Sequence, residues 1–319
     1  MSTQRVAAID IGTNSVLLLI AERDDDGHLR RLVDLATITR IGQGVDQTGE
    51  LAAEAIERTL HCIDRYAAAI RDHDVDVVGA VGTSALRDAK GSDAFVAAFE
   101  QRVGARPEVI SGEREAALTF DGALTGLPFA SEDRPVAVFD VGGGSTEIIV
   151  GRPAVDQNGP RIREAVSLNV GAVRMTERHI RSDPPTRDEL EAVRADLRAA
   201  LADSPILATT PLANVPLVGV AGTVTTIGAV VAGLEMYEPD AVHGATLTRP
   251  ELERTIDRLA ALDHAARREV AGLDPGRADV IVAGALVVDE VRSWARADTL
   301  TISDRGVRYG LARELVAKG

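Results

Sequence analysis

The stretch VAVFDVGGGSTEIIVG, Val136–Gly151, sets an acid, three glycines, a Ser-Thr pair and a glutamate between two apolar runs. Val136–Val141 reads as a buried strand, Gly142–Gly144 as a tight turn and Ile148–Gly151 as the returning strand. By itself this is a hairpin with solvated turn acids, since Gly and Asp dominate turns. The N-terminal stretch VAAIDIGTNSVLLLIA, Val6–Ala21, aligns with it without a gap. Val6/Val136, Ala7/Ala137, Asp10/Asp140, Gly12/Gly142 and Ser15/Ser145 are identical, and the apolar positions match almost throughout, Leu17 against Glu147 excepted. One glycine hairpin is ordinary. Two with the same acid and serine imply a duplicated half-fold whose turns face one shared ligand.

Composition narrows the function classes. A chain of 319 residues fits two domains. No run reaches the roughly 18 to 20 apolar residues of a membrane helix, and the first strand begins within about five residues with no signal-peptide pattern. A cytoplasmic protein with no membrane partner is expected. Cys62 is the only cysteine, which excludes an internal disulfide or a cysteine-based zinc site. The net charge of −14 argues against a nucleic-acid partner, because such binding rests on Lys and Arg arrays. Lys90 and Lys318 are the only lysines, so no phosphate-binding loop of the G-x-x-x-x-G-K-[ST] type exists. The six histidines show no metal-ligand spacing.

Along the first half, the hairpin is followed by strand material at Leu29–Thr39, an amphipathic helix over Ala52–Arg71 and a strand at Val75–Val81. A helix around Ser92–Arg102, a short strand at Pro107–Ile110 and a helix opening near Glu113 come next. Strands first, then strand-helix alternation, imply a mixed sheet with helices packed on it. The proline-bracketed segment LPFASEDRP, Leu127–Pro135, is the expected boundary between domains 1–128 and 129–319. The second half repeats the scheme, with a hairpin tip at Val155–Pro160, strands at Ile162–Leu168, Pro216–Val220 and Thr299–Ile302, and a last helix at Gly306–Ala317. Helices are expected from Val173, Arg187, Thr223, Glu251, His264 and Arg277. Thr186 and Thr248 head capping boxes, and Thr223 is the expected cap of its own helix.

The two turns carry the chemistry. Gly12, Thr13, Asn14 and Ser15, and Gly142, Gly143, Gly144, Ser145 and Thr146, present backbone N–H groups and hydroxyls where bare glycine lets phosphate approach. Acids beside an anion site make sense once a divalent cation is included: Asp10, Asp140 and Glu147 would hold Mg²⁺, which neutralises the phosphate.

The segments AAIDIGTNS, VGTSALRDA, EVISGEREA, VFDVGGGSTE, NVGAVRMTE, GVAGTVTT and ISDRGVRYGL follow in the order and spacing of the Ppx/GppA family. Over essentially its whole length the chain resembles these exopolyphosphatases and guanosine pentaphosphate phosphatases, members of the actin-like, sugar-kinase and heat-shock-chaperone superfamily. The resemblance implies an α/β fold of two ribonuclease-H-like (actin-like ATPase) domains with the active-site cleft between them. It also implies a homodimer. The family pattern S-G-x-E-E-A lies on Ser111–Ala116 and puts the general base on Glu115, with Arg114 standing where relatives often carry glutamate and Glu113 as a nearby competitor. From the residues alone, both glutamates are helix first-turn acids favoured by the dipole. Arg87 matches a family arginine at the phosphate site, where a guanidinium offers bidentate donation. Asn14 is expected as a neutral donor to phosphate, and the turn at Gly171 and Val173 as a cradle for the next phosphate.

The implied activity is Mg²⁺-dependent removal of the terminal phosphate from polyphosphate, short chains above all, or from pppGpp. The resemblance leads us to expect that the chain lacks the helical extension of long family members. Its acidity disfavours a long polyanion unless Arg161, Arg163, Arg174, Arg178 and Arg181 line a channel. Two rivals stand beside this reading: an ATP-dependent kinase of the same superfamily, which needs an adenine pocket, and a catalytically silent sensor of (p)ppGpp or polyphosphate.

Overall fold

The computed structural model of the chain describes residues 4–24, 29–153, 161–206, 212 and 215–318; the expected hairpin tip at Val155–Pro160 lies outside them. The first unit holds strands β1 (Arg5–Ile11), β2 (Ser15–Arg23), β3 (Leu29–Ile38), β4 (Val77–Gly82) and β5 (Glu108–Val109). Its helices include α1 (Ala53–Asp72), the short α2 (Ser84–Asp88), α3 (Ser92–Val103) and α4 (Gly112–Leu124). The second unit holds β6 (Val136–Val141), β7 (Thr146–Arg152), β8 (Arg161–Leu168), β9 (Leu217–Val220), β10 (Thr246–Thr248) and β11 (Thr299–Ile302). Among its helices are α5 (Ala172–His179), α6 (Arg187–Ala202), α7 (Ala221–Ala232), α8 (Arg249–Ala261) and α9 (Ile281–Trp294); α10 (Val307–Ala317) closes the described chain.

The duplication read from the two hairpins extends to the sheets. The first runs β3-β2-β1-β4-β5 and the second β10-β11-β9-β6-β7-β8. Read from its other edge, the second begins β8-β7-β6-β9-β11, with the same senses: antiparallel between the first three strands, parallel thereafter. In each sheet the chain leaves the central strand (β1 or β6) toward one edge and returns on its other side (β4 or β9). The carboxyl ends of those paired strands form a topological switch point, where ligands bind in open α/β sheets.

Strand β1 is buried on both faces, so its alternating side chains serve two layers. Ala7, Ile9 and Ile11 pack with Ile63 and Tyr66 of α1 and Phe95 and Phe99 of α3. Val6 and Ala8 belong to the other row, packed with Val307, Tyr309, Leu311 and Ala312 of α10. Asp10 continues that second row. In the other unit, α9 is buried along nearly its whole length beside Phe139, Ile148 and Val224.

The division of the chain differs from the expected break at 128/129. The compact units are Met1–Gly122 with Val307–Gly319, and Ala123–Gly306. Helix α10, expected in the second domain, covers the Val6/Ala8 face of the first sheet together with Leu118 of α4. Gly310 makes the fit possible: a Cβ there would lie 2.2 Å from the Leu118 carbonyl oxygen of α4. The capping boxes at Thr186 and Thr248 are both formed. Thr223 does not cap. Val220 holds that position, and the Thr223 hydroxyl donates to the Val141 carbonyl at 3.3 Å. The helix expected from Arg277 begins at Ile281 as α9, preceded by a 3₁₀ turn at Pro275–Arg277. Among the described residues no helix is long and apolar enough to cross a membrane.

Candidate active site

The β1–β2 turn is built as the sequence pairing required. The Gly12 N–H donates to the Ser15 carbonyl at 3.0 Å, and Gly142 donates to Ser145 at the same distance in the other unit. Both switch points are also stitched alike, with Thr83 Oγ1 on the Ile11 carbonyl (3.4 Å) and Thr223 Oγ1 on that of Val141 (3.3 Å).

In the first unit a collar that sequence reasoning missed holds the turn. Thr39 and Arg40 donate their N–H groups to the Asn14 carbonyl, and Gly42 donates to Thr13. Glycine at position 42 allows this approach, because a Cβ there would sit 2.3 Å from Thr13 Cγ2 and force that side chain to move. The collar fixes the backbone, yet Asn14 Oδ1 and Asp10 Oδ1 are buried with no hydrogen-bond partner among the described residues. Orphaned buried oxygens are costly, so two at one hairpin tip point to a ligand or ion that satisfies them. Burial pushes the Asp10 carboxyl up to about 7, and the Arg308 guanidinium pulls it back only in part. Arg308 is itself gripped by Asp34, Nε to Oδ1 at 2.9 Å and Nη2 to Oδ2 at 3.2 Å, with the Tyr309 hydroxyl 3.1 Å from the same carboxylate. Neither Asp34 nor Arg308 was marked by the sequence reading. The motif ISDRGVRYGL contained Arg308, and only the α10 packing shows that it faces the Asp10 row.

In the second unit Asp140 and Glu147 are direct cross-strand partners on β6 and β7. Glu147 is buried, and Ser167 donates to its Oε1 at 2.7 Å. Like charges set opposite each other destabilise a sheet, so the pair fits a divalent cation. Among the described residues no group of three His, Cys, Asp or Glu side chains could hold a metal. Mg²⁺ does not need one: it is commonly held by one or two carboxylates, water and substrate phosphates.

Gly171, Val173 and Thr146 of this unit also brace the glycine turn. The Ala172 N–H donates to Gly142, and those of Val173 and Arg174 donate to Gly143, so the first turn of α5 supports the glycine turn from behind. Gly171 allows that approach, since a Cβ there would come within 2.5 Å of the Gly143 oxygen. Thr146 is fully buried and its hydroxyl donates to the Val170 carbonyl. Gly143, Gly144 and Ser145 remain as the turn proper.

The two candidate bases separate cleanly. Glu113 is exposed, whereas Glu115 is 8% exposed, one turn into α4. The Glu115 N–H donates to the Ser111 carbonyl, and Ser111 Oγ accepts from Arg114 N. Arg87, expected on phosphate, lies against Glu115: Nη1 donates to Oε2 at 3.0 Å and to the Ile110 carbonyl at 3.1 Å. Arg114 pairs with Glu314 of α10 through both its terminal nitrogens. The channel arginines are partly engaged elsewhere, with Arg161 on Asp133 and Arg178 beside Asp196.

The Ppx/GppA phosphatase family matches residues 19–318. The chain belongs to this family. It is similar to Exopolyphosphatase 2 of Mycobacterium tuberculosis, 39% identical over 99% of both chains. A guanosine-5′-triphosphate,3′-diphosphate pyrophosphatase of Vibrio atlanticus is 29% identical over 97% of this chain but only 59% of its own length. Among solved structures, the Ppx/GppA protein of Aquifex aeolicus covers 99% of each chain at 32% identity and a TM-score of 0.79. An exopolyphosphatase from Cytophaga hutchinsonii reaches a TM-score of 0.87 at 26% identity, covering 99% of this chain and 98% of its own. Full-length agreement with Ppx/GppA structures accounts for the pair of matched sheets.

Proposed function

We propose that this chain is a cytoplasmic, homodimeric, Mg²⁺-dependent phosphoanhydride hydrolase that removes the terminal phosphate from inorganic polyphosphate, with pppGpp as the alternative substrate. The observation that carries the reading is the repeated strand end: two acids, Asp10 and Asp140, each followed by the same Gly-to-Ser hydrogen-bonded turn. The similarity to Exopolyphosphatase 2 over 99% of both chains supports polyphosphate as the first substrate to test.

Each residue has a job in that reaction. Asp10, Asp140 and Glu147 would hold the metal. When bound, Mg²⁺ supplies positive charge to the phosphate oxygens. Backbone donors of Thr13, Gly143 and Gly144 and the side chains of Asn14, Ser15 and Ser145 orient the terminal phosphate and stabilise charge on its equatorial oxygens, while Arg87 lies against Glu115. Glu115 takes the proton of the attacking water, a role for which its burial suits it better than exposed Glu113.

Phosphate release is measured with Mg²⁺ from polyphosphates of several lengths, pppGpp and ATP. Glu115→Gln should lower turnover by about 10²- to 10⁴-fold, the usual worth of a general base, while Glu113→Gln stays near wild type. The reverse pattern moves the base to Glu113. Tight binding of polyphosphate with no turnover by wild type makes the chain a sensor.

A further inference from the structure

Arg87 ends the short helix α2, and Glu115 opens α4, 28 residues later. The two segments follow neighbouring parallel strands, β4 and β5, and the Ile110 N–H returns to the Gly82 carbonyl at 3.0 Å. One nitrogen of Arg87 closes this loop on itself, since Nη1 reaches both the Ile110 carbonyl and Glu115 Oε2. The side chains are 28% and 11% exposed, so the pair is far less solvated than an ordinary surface ion pair. A free glutamate side chain samples several rotamers, and freezing one costs conformational entropy. A general base must also lie within about 2.6 to 3.2 Å of the proton it removes. Arg87 meets both needs at once: it fixes one carboxylate oxygen, and a backbone carbonyl on the way into α4 fixes Arg87.

We infer that Arg87 acts on the reaction through Glu115, as the positioning residue that holds the base carboxylate in place. The inference rests on the reading of Glu115 as the base. It differs from the role of a phosphate ligand in what it predicts. A ligand acts on substrate whether or not the base is present; a positioning residue has nothing to position once the base is gone.

The experiment is a double-mutant cycle on phosphate release from polyphosphate with Arg87→Ala, Glu115→Gln and the double variant, each checked for folding by its thermal melt. Arg87→Ala should lower kcat by about 10- to 100-fold, the scale set by a misplaced catalytic group, with KM changed less than about threefold. In the Glu115→Gln background the same substitution should cost less than about threefold, because residues acting as a unit are non-additive. Added guanidinium ion should recover part of the Arg87→Ala rate and none of the double variant's. Should Arg87→Ala fold poorly, Arg87→Lys gives the same test, since an ammonium cannot reproduce the planar donor. Equal fold losses in both backgrounds, or a loss confined to KM, overturn the inference and leave Arg87 a phosphate ligand. Wild-type turnover by Glu115→Gln is the separate result that removes the base assignment.

Discussion

Gly171→Ala isolates the part that the second glycine turn plays. Gly171 has φ −143° and ψ 169°, extended backbone that alanine adopts freely, so any cost is steric. Its added Cβ would meet Gly143 O at 2.5 Å, Gly143 C at 2.6 Å and Gly144 C at 2.7 Å. These are backbone atoms, and three hydrogen bonds from Ala172, Val173 and Arg174 tie the same turn to α5, so no flexible side chain can yield. Reaching the usual carbon contact of about 3.5 Å requires the turn to retreat by about 1 Å. Overpacking of this kind costs about 1–3 kcal/mol. For a unit of this size that lowers Tm by roughly 2–12 °C. A 1 Å displacement of substrate-orienting groups costs on the order of 10²-fold in turnover. Gly142→Ala supplies the scale, because its Cβ would lie 3.1 Å from the Ser145 oxygen and asks for only a small adjustment. Thermal melts and phosphate release on both variants test the reasoning. Wild-type Tm and rate for Gly171→Ala would refute the steric argument. A lowered Tm with full activity would remove this turn from the reaction.

Two further predictions concern charge. A carboxyl with a folded pKa near 7, against 3.8 unfolded, binds its proton more tightly in the folded state; stability falls as pH rises from about 4 to 7 and levels off above. With chelator present, Asp10→Asn should therefore gain on wild type by up to about 4 kcal/mol at pH 8, from about three units at 1.36 kcal/mol each, and by nothing at pH 4. Adding Mg²⁺ should narrow the gap by stabilising wild type, and a gap independent of pH in urea titrations would contradict the burial argument. Glu290 on α9 is buried and accepts from Arg194 at 2.7 Å and from Arg198 Nε and Nη2 at 3.0 Å. Removing its carboxylate in Glu290→Ala leaves Arg194 with Asp289 alone, at 2.9 Å, in a poorly solvated site, and should cost about 1–3 kcal/mol by urea denaturation. A loss well under about 1 kcal/mol would show that Asp289 and water suffice.

The central hairpins were legible because both their pleat and their turn are written locally: strict apolar runs, an acid, then glycine. Their repetition carried the fold, since two copies of one half-motif predicted two copies of one sheet. What stayed hidden is tertiary. Amphipathic helices look alike whichever sheet they cover, so only tertiary packing, with Gly310 against Leu118, gives Val307–Ala317 to the first unit rather than the second. Three-residue β10 carries too little pattern to announce itself. The same limit governs the site. Asp10 stands in the row of Val6 and Ala8, and this parity sets it on the face that α10 covers. Glu115 and Arg87 were each found through a motif, but their contact with one another depends on β4 and β5 lying side by side. A residue's chemistry is written in its own segment, whereas its partner is chosen by strand order, and for this chain strand order sets Arg87 against Glu115.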